Sequence, residues 1–148
     1  MNYQEAKELH DLVFSFIGMF HEKISYRFRR YHEGIPWMKK NHIKIINLLY
    51  QHKHLTSTEI GKKLDIEKGS LTSLIDQLED KGLVIRCNDA KDRRKFLISL
   101  SAKGREEVEK ILDYHIREIN EFFQEVNPDE MKEFVFELRH VVDFMKKM

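Results

Sequence analysis

The sequence predicts a mostly α-helical protein with one small antiparallel β-hairpin. Apolar residues recur at spacings of three and four along most of the 148 residues, which is the periodicity of amphipathic helices. Residues 83–101 break this pattern, because two β-prone runs flank a charged tip at residues 89–95. Just upstream, residues 56–82 read as two short helices with a tight turn between them. This order of elements predicts a winged helix-turn-helix, with long helices before and after it.

Two helices are predicted ahead of the helix-turn-helix. The first covers about residues 7–31, and Gly34 and Pro36 then break the helical pattern. Its apolar stripe consists of Leu9, Leu12, Val13, Phe16, Ile17, Phe20, Ile24 and Phe28. The second runs from about Trp37 to Gln51, and its apolar residues are Ile45, Ile46, Leu48 and Leu49.

The helix-turn-helix begins at a capping box. Thr56 can accept a hydrogen bond from an early amide of the helix, and Glu59 can reach back to the Thr56 amide. Residues 65–67 form the turn, and the second helix covers about Lys68 to Lys81. Its inward residues are predicted to be Leu71, Leu74, Ile75 and Leu78. Gly82 then stands where a helix ends in the left-handed conformation.

Two further helices follow the hairpin. Ser101 can cap a long helix that extends to about Glu125, and Asn127 with Pro128 suits the start of the last one. Phe14 and Phe136 fall outside the main stripes of the terminal helices, so these helices are apolar on more than one side. A second copy of the chain would cover them. We therefore expect residues 1–35 and 101–148 to be dimerisation helices and residues 36–100 to form the winged helix-turn-helix lobe; packing of the terminal helices on their own domain alone is the alternative.

Composition limits the class of protein. The net charge is only +1, but residues 23–55 carry eight cations and one anion, which permits a nucleic-acid face. One cysteine, Cys87, excludes an intramolecular disulfide, and neither a membrane span nor a signal-peptide pattern is visible, so we expect a cytoplasmic protein without a membrane partner. No phosphate loop, nucleophile elbow or His-Glu-x-x-His motif occurs, so we expect no enzyme.

Two surfaces of the lobe suit DNA. The second helix of the motif would enter the major groove, and its outward positions are Lys68, Gly69, Ser70, Thr72, Ser73, Asp76 and Gln77. All of these except Asp76 are predicted to contact DNA. The hairpin tip carries Asp92, Arg93, Arg94 and Lys95, and an arginine at a tip can enter the narrow minor groove. Asp92 is two residues from Arg94 and could hold its guanidinium in a bidentate pose. A solvated helix face and a charged turn that blocks edge pairing are the alternatives.

The chain resembles the MarR family of bacterial transcription regulators. The strongest part runs from Leu55 to Gly104 and includes Thr56-Ser-Thr-Glu-Ile-Gly-Lys-Lys-Leu64, Asp89-x-x-Asp92-Arg-Arg94 and Leu100-Ser-x-x-Gly104. The resemblance implies a homodimer with intertwined terminal helices whose two lobes read a palindromic operator in double-stranded DNA. It implies that Ser70, Thr72, Ser73 and Gln77 lie in the major groove, and that Arg94 enters the minor groove, oriented by Asp92. Gln77 stands where many members have arginine.

Members of this family usually respond to a ligand, an oxidant or a metal. A small aromatic effector would bind between the dimer core and the lobes, where candidate lining residues are Phe16, Phe20, Tyr31, Trp37 and His42, although each also suits an ordinary core. We therefore expect a ligand-responsive repressor that has no resident cofactor or metal. The alternative is a zinc-responsive regulator of the same fold, in which Glu22, Glu33 and His115 converge with His42.

Overall fold

The computed structural model describes residues 1–148, apart from the side chain of His32. Seven α-helices and three short strands follow one another along the chain. They are α1 (Tyr3–Phe20), α2 (Tyr26–Glu33), α3 (Lys40–Tyr50), β1 (Leu55–Thr56), α4 (Ser57–Leu64), α5 (Lys68–Asp80), β2 (Val84–Asn88), β3 (Phe96–Leu100), α6 (Ala102–Phe122) and α7 (Pro128–Met145). The predicted class, mostly α with a small antiparallel wing, is confirmed.

The first predicted helix is two α-helices joined by a π-helical segment, His21–Ser25. It also begins earlier than predicted, because Asn2 and Glu5 form a capping box. The Asn2 side chain accepts from the Glu5 N–H at 2.9 Å, and the Glu5 carboxylate accepts from the Asn2 N–H at 2.7 Å. The π-helical segment has no signal in the apolar periodicity, since it shifts the helical phase by a single residue.

The helix-turn-helix forms where the capping residues predict it. Thr56 caps α4: its hydroxyl accepts from the Glu59 N–H at 3.3 Å, and the Glu59 carboxylate accepts from the Thr56 N–H at 2.7 Å. Asp65 ends α4 in the left-handed conformation, with φ of 51°, and so turns the chain toward α5. Gly82, with φ of 72°, ends α5 as predicted and directs the chain into β2.

The sheet has three strands, where the sequence predicts only the two of the hairpin. Its order is β1-β3-β2, and all neighbours are antiparallel. Leu55 pairs with Ile98 and Thr56 with Leu97, so β1 anchors the wing to the start of α4. A strand of two residues has no alternation to detect, and only the pairing with β3 defines it.

The hydrophobic core lies between the central lobe and the first half of α6. Its buried residues come from α3, α4, α5, the sheet, the segments next to them and α6: Met38, Ile43, Ile45, Ile46, Leu49, Leu55, Ile60, Leu71, Ile75, Leu78, Leu83, Val84, Ile98, Val108 and Ile111. Neither α1 nor α7 contains a buried residue. In the described part of the chain, no helix is both long and apolar enough to cross a bilayer.

The join between the wing and α6 depends on Gly104. Ser101 caps α6 by accepting from the Gly104 N–H at 2.9 Å, and its own hydroxyl donates to the Gly82 carbonyl. A Cβ atom at position 104 would collide with the carbonyl group of Leu83. Only glycine therefore lets the first turn of α6 pack this closely against the chain that leaves α5.

Candidate nucleic-acid interface

One face of α5 is open to solvent along its length. The six residues predicted to contact DNA are all exposed there: Lys68, Gly69, Ser70, Thr72, Ser73 and Gln77. The Thr72 hydroxyl donates to the Lys68 carbonyl at 2.9 Å, and the Gln77 amide donates to the Ser73 hydroxyl at 3.2 Å. A Cβ at Gly69 would meet no atom within 4 Å, so this part of the backbone is accessible to a ligand. The face can donate and accept hydrogen bonds, as base edges require.

The wing tip holds its central arginine away from the protein. The Asp92 carboxylate accepts from the Arg94 backbone N–H at 3.1 Å and from its Nε at 3.4 Å. The tip closes where Lys95 N–H donates to the Asp92 carbonyl at 2.9 Å. The Arg94 side chain is 93% exposed, and Asp92 only 33%. Asp92 thus steadies Arg94 through one carboxylate oxygen rather than in the bidentate pose expected from the sequence, which leaves the end of the guanidinium free.

Arg93 and Lys95 flank Arg94 and are also exposed. Arg94 and Lys95 reach over a groove of 580 Å³ between the tip and the start of α4, whose other lining residues are Thr56, Ser57, Thr58, Glu59, Lys62 and Phe96. Glu59 adds a carboxylate to this groove, and its hydrogen bonds from Thr56 hold its pKa below the usual range. The cationic tip and the first helix of the motif therefore form one continuous surface.

Arg86 is a residue of this surface that the sequence analysis missed. It lies on β2, and its guanidinium binds both Asp76 and Glu79 on α5. Asp76 and Glu79 are ten and seven residues away in the chain, so no spacing rule for helices or strands predicts the contact. The pairing joins the base of the wing directly to the helix that carries the predicted base contacts.

The five candidate effector residues do not line one cavity. Phe16 and Phe20 lie on the exposed side of α1. The Tyr31 hydroxyl donates to Glu107 on α6 at 3.1 Å, and burial, with the Glu107 charge, raises its pKa to about 12. Trp37 and His42 contact each other, with ring centroids 5.6 Å apart. Tyr31, Trp37 and His42 thus pack against neighbouring residues, whereas Phe16 and Phe20 are exposed in the single chain.

A different cavity, of 540 Å³, lies between the π-helical segment, α2, α3 and α6. Its lining residues are His21, Ser25, Phe28, Arg29, Glu33, Met38, Lys39, Lys40, Ile43, Lys44, Asn47 and His115. Phe28 stacks on His115, with ring centroids 4.2 Å apart, and burial lowers the pKa of His115. The cavity therefore combines an apolar and aromatic wall with four side-chain cations and one carboxylate.

His42 does not reach this cavity. Its ring is buried, and Nδ1 accepts from the Lys39 backbone N–H at 3.0 Å, which caps α3. Burial lowers the pKa of His42, and the nearby Gln77 side chain partly opposes this effect. Among the side chains that the structure describes, no three His, Cys, Asp or Glu residues are grouped to hold a metal ion. The convergence of His42 with Glu22, Glu33 and His115 that the zinc hypothesis requires is therefore not found.

The sequence and the fold both have known relatives. Residues 39–96 match the model of the MarR family. The chain is 33% identical over 95 residues to the uncharacterized HTH-type transcriptional regulator YkoM of Bacillus subtilis, which covers 64% of this chain and 62% of YkoM. It is 30% identical over 100 residues to the HTH-type transcriptional repressor YetL of the same organism, which covers 66% of this chain and 60% of YetL. The chain thus spans about three fifths of the length of these relatives.

The fold is similar to that of a MarR family protein from Bacillus stearothermophilus. The TM-score is 0.77 at 23% identity, and the match covers 99% of each chain. Because the match includes α1, α2, α6 and α7, the terminal helices as well as the lobe adopt the arrangement of that structure.

Proposed function

We propose that this chain, whose residues 39–96 match the model of the MarR family, is a DNA-binding transcriptional regulator of that family and not an enzyme. The observation that carries the proposal is the wing tip, where Asp92 holds an almost fully exposed Arg94 beyond the body of the lobe. An arginine presented in this way suits the electronegative minor groove. The exposed hydroxyls and amide on α5 suit base edges in the adjoining major groove.

The regulator acts as a homodimer in this proposal. Phe14 on α1 is 63% exposed and Phe136 on α7 is 62% exposed, and many large apolar residues beside them are also open to solvent. They include Leu9, Leu12, Phe16, Ile17, Ile116, Val135, Val141 and Phe144. Apolar surfaces this extensive are typical of protein interfaces. Residues 1–35 and 101–148 thus supply the dimer interface, and residues 36–100 supply the lobe.

A two-fold dimer presents two α5 helices and two wings to DNA. We infer that the operator is palindromic, with half-sites one helical turn apart, because each half-site meets the same surface in the opposite orientation. Repression follows when such a dimer occupies a promoter, and the similarity to the repressor YetL supports this direction of control.

The effector site that we propose is the cavity between the π-helical segment, α2, α3 and α6. Phe28, Met38 and Ile43 can pack against an aromatic ring, and the surrounding cations Arg29, Lys39, Lys40 and Lys44 favour one that carries an anionic group. Because α2 continues the terminal helix whereas α3 begins the lobe, a ligand here contacts both units. It would regulate DNA binding only by favouring one separation of the lobes over another.

Selection from randomised duplex DNA tests the proposed function. The purified protein is used to enrich duplexes over several rounds, and the number of protomers bound to the recovered duplex is then counted. We expect an inverted repeat with half-sites about ten base pairs apart, bound by two protomers. Enrichment of no sequence, or of a single half-site by one protomer, would contradict the proposal.

A further inference from the structure

We propose that Arg86 is a positioning residue for DNA binding, which neutralises two carboxylates of α5 that would otherwise repel the phosphate backbone. The inference rests on the proposed function, because it concerns the helix and wing that are proposed to bind DNA. It assigns a role to a side chain that does not itself need to touch the nucleic acid.

The Arg86 guanidinium lies between two carboxylates and forms an ion pair with each of them. One terminal nitrogen of the Arg86 guanidinium binds the Asp76 carboxylate and the other binds Glu79. The Arg86 side chain is only 25% exposed, whereas Asp76 is 53% and Glu79 39% exposed. An arginine that is partly withdrawn from water holds carboxylates more firmly than a fully exposed lysine would, since its planar fork donates to both at once.

The charge of α5 explains why such a partner matters. Helix α5 has a lysine, Lys68, in its first turn, whereas the carboxylates Asp76, Glu79 and Asp80 all lie in its second half. Asp76 follows Thr72 by four residues and Ser73 by three, so it shares their face of the helix. In the proposed complex its carboxylate would lie near the wall of the groove, within the screening distance of about 8 Å at physiological salt.

Other cations close to this end of α5 are engaged elsewhere. The Lys81 ammonium lies over the Trp37 ring, 5.4 Å from its centroid, and Lys103 donates to the Lys81 carbonyl at 2.8 Å. Within the described side chains, the ion pairs of Asp76 and Glu79 are both made with Arg86. Removing this arginine would therefore expose two uncompensated negative charges beside the proposed DNA-contacting hydroxyls.

A double-mutant cycle on the whole 148-residue chain tests the inference. The Arg86→Gln substitution is made in the native background and in the Asp76→Asn/Glu79→Gln background, and affinities are measured for the selected duplex and for a random-sequence duplex. We expect Arg86→Gln to weaken binding about tenfold in the native background and less than about twofold when the carboxylates are neutral. Random-sequence DNA should show the same pattern, since phosphate repulsion does not depend on base sequence.

Two further variants separate charge from structure. Arg86→Lys keeps one cation between the carboxylates, so its affinity should stay within about threefold of wild type. Arg117→Gln removes an arginine that is 71% exposed and ion-paired with Asp113 on α6. Sedimentation checks that this variant is still a dimer, so that it measures the effect of net charge alone. Thermal unfolding of each variant checks that the lobe is folded.

The role of Arg86 is overturned if Arg86→Gln costs the same affinity in both backgrounds, if it costs no more than Arg117→Gln, or if Arg86→Lys is folded yet as weak as Arg86→Gln. These results would occur while the wild-type protein still binds the duplexes and Arg94→Ala weakens that binding, so they would leave the proposed function intact. A wild-type protein that binds neither duplex would overturn both proposals.

Discussion

The buried ring of His42 accepts a hydrogen bond from the backbone N–H of Lys39, with 3.0 Å between Nδ1 and the backbone nitrogen. An imidazole can accept at Nδ1 only while that nitrogen carries no proton, so the contact requires the neutral ring. It satisfies an amide at the start of α3, where the first N–H groups have no acceptor within the helix. The titratable side chain of His42 therefore fixes the segment that contains Lys39, and Lys39 lines the proposed effector cavity.

Stability should fall as the pH drops below about 6.5. Burial lowers the pKa of His42 and of His115 in the folded protein, so below the ordinary value of 6.5 the unfolded chain binds more protons than the folded one. The stabilising effect of the neutral rings is complete above this pH and is lost as the pH falls through the folded-state pKa values. Chemical denaturation between pH 5 and pH 8, a range of roughly three units about the ordinary histidine pKa, measures the loss.

His42→Gln is the matched control for this pH dependence. A glutamine at the third helical position can accept from the Lys39 N–H through an uncharged amide. The variant should therefore lose part of the pH dependence and keep the part that His115 contributes. An unchanged pH profile would show that His42 does not contribute to it.

Arg94→Ala should weaken binding to the selected duplex by about tenfold or more at low salt and make the salt dependence shallower by about one unit. Asp92→Ala should also weaken binding, although it removes a negative charge, because Arg94 then loses the oxygen that steadies its Nε. Affinities across a salt series measure both effects. Tighter binding by Asp92→Ala would mean that Asp92 acts only as an unfavourable charge.

Phe14→Glu combined with Phe136→Glu should convert the proposed dimer into a monomer. Both rings are more than half exposed in the single chain, and neither belongs to the core of the lobe. Placing four carboxylates in the two-fold interface would leave charges buried without partners. Sedimentation gives the mass, and circular dichroism checks the fold. A variant that remains a tight dimer would exclude α1 and α7 around these two rings from the interface.

Gly104→Ala should destabilise the protein by about 1–3 kcal/mol, because its methyl group would push α6 away from the Leu83 carbonyl. Gly69→Ala is the control: position 69 lies in a helix and has nothing within 4 Å of an added Cβ. That change should be neutral or stabilise the protein by up to roughly 1 kcal/mol. Urea denaturation compares them, and equal stability of the two variants would contradict the packing described for α6.

Aromatic carboxylates should bind the cavity between α2, α3 and α6 and should weaken DNA binding. Titration calorimetry with benzoate and a panel of substituted benzoates is the measurement. Lys44→Gln should reduce the affinity, because it removes one of the cations that line the cavity. Lys53→Gln, an exposed lysine in the loop before β1, is the control. Equal loss in both variants would argue for non-specific attraction of the anion.

Local signals were sufficient for most of the secondary structure. The capping residues Thr56, Ser101 and Asn127 each cap the helix predicted to follow them, and Gly82 adopts the predicted left-handed conformation. These contacts form within three residues of the chain, so residue identity and spacing suffice to predict them. The Asn2 and Glu5 capping box obeys the same rule and could have been recognised from the sequence.

The candidate site shows the same contrast between local interactions, which the sequence predicts, and long-range interactions, which it does not. The exposed face of α5 and the pairing of Asp92 with Arg94 depend on helical period and a two-residue spacing, both visible in the sequence. Strand β1, the cavity beside the π-helical segment and the Arg86 bridge depend on residues far apart in the chain. The sequence alone determined most of the helices, most of their caps and the cationic tip, because those follow from interactions between near neighbours. Only the tertiary structure decided which charges meet and where a cavity opens, because those depend on how the helices pack against one another.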